Sequence, residues 1–415
     1  MHAWNKTRVV GWVLAVSIFG WPAAGADWTQ WRGPARDGHI AGINLPQVWP
    51  PALREQWKIE VGQGHASPLV AGDRVFQFSR QGEEEVVRAV RLSDGRPLWL
   101  EKYPAPFEMS PYATSHGKGP KSTPALAGDR LVTLGIGGIL SCWDAPTGRL
   151  LWRHDSSKEY ARGSSIWYGQ AHSPMIDGGL VIAHLGTHDQ GALSAFDLAS
   201  GEARWRWTGD GPGYASPIAV ELAGIRQVIT QSQRACIGLS ETDGKPLWSI
   251  PFTTEYDQNI VTPVVAGDLL IFSGTGKGTT AYRLEKQSEG CRPQEVWHNE
   301  EVSMFMSSPV VVVDRLVGFA GRQKGHFFAL DVRTGKILWT GPGRQGDNAA
   351  ILASGQTVLA LTSRGELVVF RADANEYEQL ARYKVAETAT WAHPAVVPGK
   401  ILVKDVERLA LWSFD

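Results

Sequence analysis

Four histidines, His65, His116, His172 and His393, sit in short polar segments between apolar stretches of a repeat. Imidazoles could ligate a metal or relay a proton. Their distances to the next strand-opening signal are three, eight, two and one residues, so they need not face a common point. Polar packing of a channel accounts for them better, and no metal site is assigned. Two carboxylates, Asp257 and Asp347, could act as a base. Gln258, Asn259, Gln345 and Asn348 flank them and could orient a substrate through their amides, and Arg344 adds a cation. The same groups could instead hold loop backbone. Trp391, beside His393, offers a stacking face. Lys118, Lys121, Tyr168, Gln170 and Tyr214 come from segments of the same kind.

What would position these residues is a repeat with two alternating markers. The first marker is a strand opener, usually Ser-Pro or Thr-Pro, at Pro68, Pro124, Pro174, Pro217, Pro263, Pro309, Ala350 and Pro394. Proline suits the first residue of a strand. The second is a turn glycine followed four residues later by Trp, ending at Trp99, Trp152, Trp205, Trp248 and Trp339. A small residue (Ala89, Cys142, Ala195, Gly238 or Ala329) lies six residues before each glycine and leaves room for a neighbour's ring. The glycines supply the positive φ of a tight hairpin, and Asp144, Asp197 and Asp331 can accept backbone N–H bonds in the turn. Degenerate copies end at Trp297 and Tyr383, and Trp57 precedes the first opener. The last unit lacks a final Trp strand, which the strand near Trp57 can supply. This predicts an all-β, eight-bladed β-propeller with four antiparallel strands per blade, closed by its N-terminal strand.

In such a ring the segments before the openers converge on one mouth, where eight unlike sequences make a ligand funnel. Two connections are long, with 25 residues from Trp99 to Pro124 and 22 from Trp152 to Pro174, against 11 to 15 elsewhere. They are expected to form a partial lid through Tyr103, Phe107, Tyr112, His116, Lys118 and Lys121, then Tyr160, Arg162, Trp167, Tyr168 and His172. A solvated loop or a cover for a blade edge is the alternative.

The stretch from Ala329 to Trp339, "ALDVRTGKILW", resembles the tryptophan-docking motif of the pyrroloquinoline-quinone (PQQ) repeat propellers. The likeness spans about residues 50 to 415. "WTQWRGPARDG", "GPGYASP" and "TWAHPAV" are similar to segments of bacterial PQQ-binding-like propellers. The resemblance implies one of two branches. Quinoprotein dehydrogenases hold PQQ and Ca²⁺ with an Asp base. The non-catalytic propeller of the outer-membrane assembly machinery, BamB, binds partner proteins. Many dehydrogenases of the first branch carry adjacent cysteines, and cytochrome-fused forms carry Cys-x-x-Cys-His. This chain has neither.

Composition narrows the classes further. Lys plus Arg is 41 against 42 for Asp plus Glu, which gives no electrostatic case for nucleic acid. Neither His-Glu-x-x-His nor Gly-x-Ser-x-Gly occurs. Gly135–Gly138 and Gly274–Thr280 lack phosphate-loop context. Lys6 and Arg8, the apolar run 9–20 and a small-x-small site at Ala24-Gly25-Ala26 read as a signal peptide. The expected organisation is a signal peptide over 1–26, an N-terminal extension over 27–49 and the propeller over 50–415. The mature chain is then an exported monomer, periplasmic or secreted, with no integral membrane span. Cys142, Cys236 and Cys291 are expected as buried thiols, with one disulfide left open. The expected function is a non-catalytic propeller that binds a protein partner or a small-molecule ligand at its funnel face. The alternative is a PQQ- and Ca²⁺-dependent oxidoreductase acting on an alcohol or sugar.

Overall fold

The computed structural model describes residues 27–160, 167–187 and 189–415. The expected signal peptide and Arg162 of the expected lid lie outside these residues. Among the described residues the strands form eight four-stranded antiparallel sheets. The first blade runs Leu69–Ala71, Arg74–Gln81, Glu84–Arg91 and Pro97–Pro104. The last is Ala395–Val397, Lys400–Lys404 and Arg408–Ser413, completed by Arg54–Glu60 from the other end of the chain. Trp57 pairs with Leu411 in that closing sheet. Among the described residues no helix is long and apolar enough to cross a membrane.

The small residue and the Trp of each repeat are cross-strand partners, as in Ala89 with Trp99, Cys142 with Trp152 and Ala195 with Trp205. The sequence reading reserved the small site for a neighbour's ring, but the ring it accommodates belongs to the same blade. The register slips just after each such pair, at Ala89/Val90, Cys142/Trp143 and Ala195/Phe196. A bulge of this kind bends the strand and increases its twist.

The indole then leans onto the next blade. Trp57, Trp99, Trp152 and Trp205 donate Nε1–H to the carbonyls of Leu92, Ala145, Leu198 and Glu241, at 2.8 to 3.0 Å. Gly201 stands at φ +78°, and a Cβ there would come within 2.7 Å of Trp152. Glycine is therefore required twice over, for the turn and for the docked ring. Trp297 keeps this bond, donating to the Val332 carbonyl at 2.9 Å, and two regular copies depart where the next turn differs. The fifth blade lacks the turn, and Trp248 bonds Gln227 Oε1 of its own blade at 2.6 Å. Trp339 packs against Phe370 and Tyr377 instead. Cys142, Cys236 and Cys291 are free and buried, so the disulfide left open is not formed.

The inner strands are held by a different device. In five blades the opener's amide donates to the opener hydroxyl of the next blade. The bonds run from Ser67 to Thr123, Thr123 to Ser173, Ser173 to Ser216, Ser216 to Thr262 and Thr262 to Ser308, all at 2.9 to 3.1 Å. The seventh blade breaks the pattern, where Ala349 donates to Ser307.

The N-terminal extension fills the other end of the channel. Trp28 bridges to Val70, Gln30 bonds both backbone groups of Ile176, and Ile40 donates to Ala353. Arg36 donates to the carbonyls of Ser173, Pro174 and Pro217 at 3.0 Å, and Arg32 to that of Pro309. Both guanidiniums are buried and serve carbonyls that the short inner strands leave unpaired.

The interblade indoles should be costly to remove. Trp205→Ala is expected to lower unfolding free energy by about 3–5 kcal/mol in urea denaturation, and Trp205→Phe by less. An unchanged midpoint for the alanine variant would show that the docked ring is dispensable.

Candidate functional site

Extended backbone sends successive side chains to opposite faces. The hydroxyl belt fixes which face is which in each connection. With Ser67, Thr123, Ser173, Ser216, Thr262 and Ser308 turned toward the channel mouth, the residues two positions earlier face it as well. These are His65, Lys121, Ala171, Tyr214, Ile260 and Met306, and Trp391 follows the same rule ahead of His393. Tyr168, His116, Gln258, Phe305 and Asn348 complete the wall of a cavity of about 260 Å³. Trp31 of the extension also lines it. Its ring meets His393 edge-on at 5.2 Å and lies over the guanidiniums of Arg32 and Arg36, at 5.5 and 5.9 Å. The extension thus supplies the floor, a role its sequence did not signal.

The aromatic groups form a connected arc. Trp391 contacts His65 and His116, His116 contacts Tyr168, and Tyr168 contacts Tyr214, with centroids 5.3 to 6.2 Å apart. On the rim, Tyr112 meets Trp167 and Trp167 meets Tyr256, so both long connections lie at the mouth. Tyr103 is not part of this rim. It is buried between the first two blades, where its hydroxyl donates to Glu85 at 2.7 Å and its ring stacks on Trp143. Tyr160 packs toward the third blade and contacts Arg206.

Of the residues singled out from sequence, His65, His116, Lys121, Tyr168, Tyr214, Gln258, Asn348, Trp391 and His393 come together here. Lys118, Gln170, His172, Asn259, Arg344, Asp257 and Asp347 do not line the cavity. Alternation explains several of these. Gln258, Ile260 and Thr262 face inward, so Asn259 faces away, while Asp257 ends a short 3-10 turn, Glu255–Asp257, at φ +55°. Asn259 instead donates its amide to the carbonyls of Ser232, Gln233 and Phe252. Asp257 lies within 3.5 Å of Gln233 Nε2. Gln170 bonds the Gly186 carbonyl, and His172 Nε2 accepts the amide of His184. Lys118 pairs with Glu83 at 3.6 Å outside the cavity. Arg344 and Asp347 are exposed. Among the described residues no cluster of three or more His, Cys, Asp or Glu could hold a metal. Ala171 and Ile260 were missed because they are apolar, and their phase relative to the openers would have found them; Phe305 and Met306 lie in "MFMSS", Met304 to Ser308, a segment that suits stacking on a flat ligand as well as core packing.

Burial dominates the electrostatics. It pulls His65, His172 and His393 down to about 3 and His184 to about 4. Lys121 also lowers His65, and Arg32 lowers His393. An unfolded chain takes up protons on these groups near pH 6.5, whereas the folded chain resists until far lower. Stability contributed by the neutral rings is therefore present above pH 6.5 and lost as pH falls toward 3–4. Thermal melts are expected to shift steadily downward over this window. A flat profile would contradict neutral burial.

Comparison with known proteins places this geometry in a family. The family model described as outer membrane protein assembly factor BamB matches residues 83–341 and 294–390. BamB of Yersinia pestis is 24% identical over 233 residues, covering 52% of this chain and 55% of that protein. Polyvinylalcohol dehydrogenase of Sphingopyxis sp. (strain 113P3) is 26% identical over 195 residues, covering 44% of this chain and 28% of that protein. The chain thus matches about half the length of one curated relative and about a quarter of the other. The quinohemoprotein alcohol dehydrogenase ADHIIG of Pseudomonas putida HK5 shares the fold, with a TM-score of 0.68, 14% identity and coverage of 94% of this chain and 80% of that one. With its family-model match and its eight closed blades, the chain belongs to the PQQ-like β-propeller family that includes BamB and the quinoprotein dehydrogenases.

Proposed function

We propose that this chain is an exported, non-catalytic propeller that binds a small organic ligand in its funnel cavity. The observation that carries this reading is the composition of the wall. It combines aromatic rings, hydroxyls, two amides and one lysine, and no carboxylate lines it. A flat or ring-bearing molecule can stack on Trp391, Tyr168 and Tyr214, while the hydroxyls and amides fix its orientation. The wall supplies no carboxylate base. Ca²⁺ takes roughly six to eight oxygen ligands, mostly carboxylates and carbonyls. Side-chain oxygens from hydroxyls and two amides do not make that set, so the calcium-dependent dehydrogenase reading does not fit these residues. Export rests on the basic and apolar N-terminal run and accords with the name of the BamB relative.

The test uses benzoate, benzamide and phenyl phosphate as ring-bearing probes, with tryptophan fluorescence reporting on Trp31 and Trp391. At least one probe is expected to bind, and Trp391→Ala should weaken it by about tenfold or more. Addition of PQQ and Ca²⁺ should give no dye-linked alcohol oxidation. Turnover under those conditions would overturn the non-catalytic assignment.

A protein partner is the second reading, favoured by one outlier. The first hairpin turn of most blades places glycine at positive φ, as at Gly72, Gly128 and Gly267. In the sixth blade that residue is Val313, at φ +57° and 81% exposed. A β-branched residue in this conformation is strained, and such strain collects at functional positions. The turn sits at the opposite end of the inner strand from the funnel. A photo-crosslinker at position 313 in the native host should yield a discrete protein adduct. An absence of adducts would remove this reading and leave the cavity untouched.

A further inference from the structure

The cavity wall carries unspent hydrogen-bond donors and no carboxylate, and the hydroxyl belt is one source of those donors. The oxygens of Thr123, Ser173, Ser216 and Ser308 each accept a neighbouring amide. Their own protons have no acceptor among the described residues, whereas Thr262 gives its proton to the Ser216 carbonyl at 3.3 Å. Ser67 Oγ is buried without any partner, at 1% exposure for the residue. A hydroxyl has one proton and two lone pairs, so a belt oxygen that accepts one amide keeps its proton, and one lone pair, for whatever fills the funnel.

Lys121 adds a charge to the same wall. It follows the phase rule that turns Tyr214 and Trp391 inward, and it lines the cavity. Its Nζ donates to one carbonyl, that of Gly117 at 3.2 Å, and no carboxylate shares the cavity. Burial pulls this lysine down to about 8. A partly buried ammonium without a counter-charge is costly, and proteins normally pair it. His65 gives its Nε2–H to the His116 carbonyl at 3.0 Å and is neutral, so it offers Lys121 no counter-charge.

We propose that the ligand of this cavity carries an oxyanion, a carboxylate or a phosphate, held by Lys121 and the free protons of the hydroxyl belt. The inference rests on the reading of the cavity as a small-ligand site and specifies the chemistry of its occupant. An oxyanion presents several lone pairs to several converging donors, and charge-assisted bonds of this kind are the strong ones. The aromatic arc receives the remainder of the molecule.

The experiment compares benzoate and phenyl phosphate with benzamide, their neutral counterpart, by titration calorimetry on the intact protein. Benzoate or phenyl phosphate is expected to bind at least about tenfold more tightly than benzamide, and the better of the two identifies the oxyanion. In Lys121→Met the preference should collapse while benzamide binding persists, and Lys121→Arg should restore part of it. The wild-type comparison stands even if Lys121→Met fails to fold. If benzamide matches the anions, the oxyanion assignment is wrong and the small-ligand reading survives. If no probe binds, the small-ligand reading falls and takes this inference with it.

Discussion

The belt of amide-to-hydroxyl bonds around the channel is the constraint on which the rest depends. Near the axis of a ring the inner strands converge without pairing as a sheet, so their first amides need another acceptor. A hydroxyl on the neighbouring opener provides it. This fixes the rotational phase of each connection, and with it the side chain that meets the ligand. The repeated Ser/Thr-Pro signal therefore does more than begin a strand. Proline ends the need for an amide, and the hydroxyl before it joins one blade to the next.

The architecture was legible in the sequence because its physics is local. Trp57, Tyr383 and the eight openers were enough to count blades and to see that the ends complete one sheet. The site was legible in part. His65, Lys121, Tyr214 and Trp391 were chosen for their chemistry and do line the cavity. Asp257 and Asn259 were chosen on the same grounds and do not line it, because chemistry alone reveals neither the phase of an extended segment nor the turn that holds Asp257. Their neighbour Gln258 carries less reactive chemistry and occupies the inward position. Trp31 was out of reach for another reason. It arrives from an extension whose contacts span the whole ring, and no repeat marks it.

The two ends of the channel have opposite characters. At one end Arg36 spends all three nitrogens on backbone carbonyls and Arg32 spends its Nη2 on two more, so both act as internal braces. At the other, Lys121 and the belt hydroxyls keep donor capacity unspent. Trp31 separates the two, with cationic groups beneath its ring and the cavity above it. Positive charge is thus used structurally on one side of an indole and held available on the other.

The closing sheet also bears on how the molecule is made. Arg54–Glu60 pairs with Arg408–Ser413, so one blade draws on both ends of the chain. Contacts of such sequence separation slow folding, since chain entropy must be lost before the pairing forms. Seven blades can assemble from local hairpins as the chain emerges. The ring stays open, with two unpaired edges, until Arg408–Ser413 is present. Those edges are the hazard of the unfinished molecule, and the strand Arg408–Ser413 decides whether it persists.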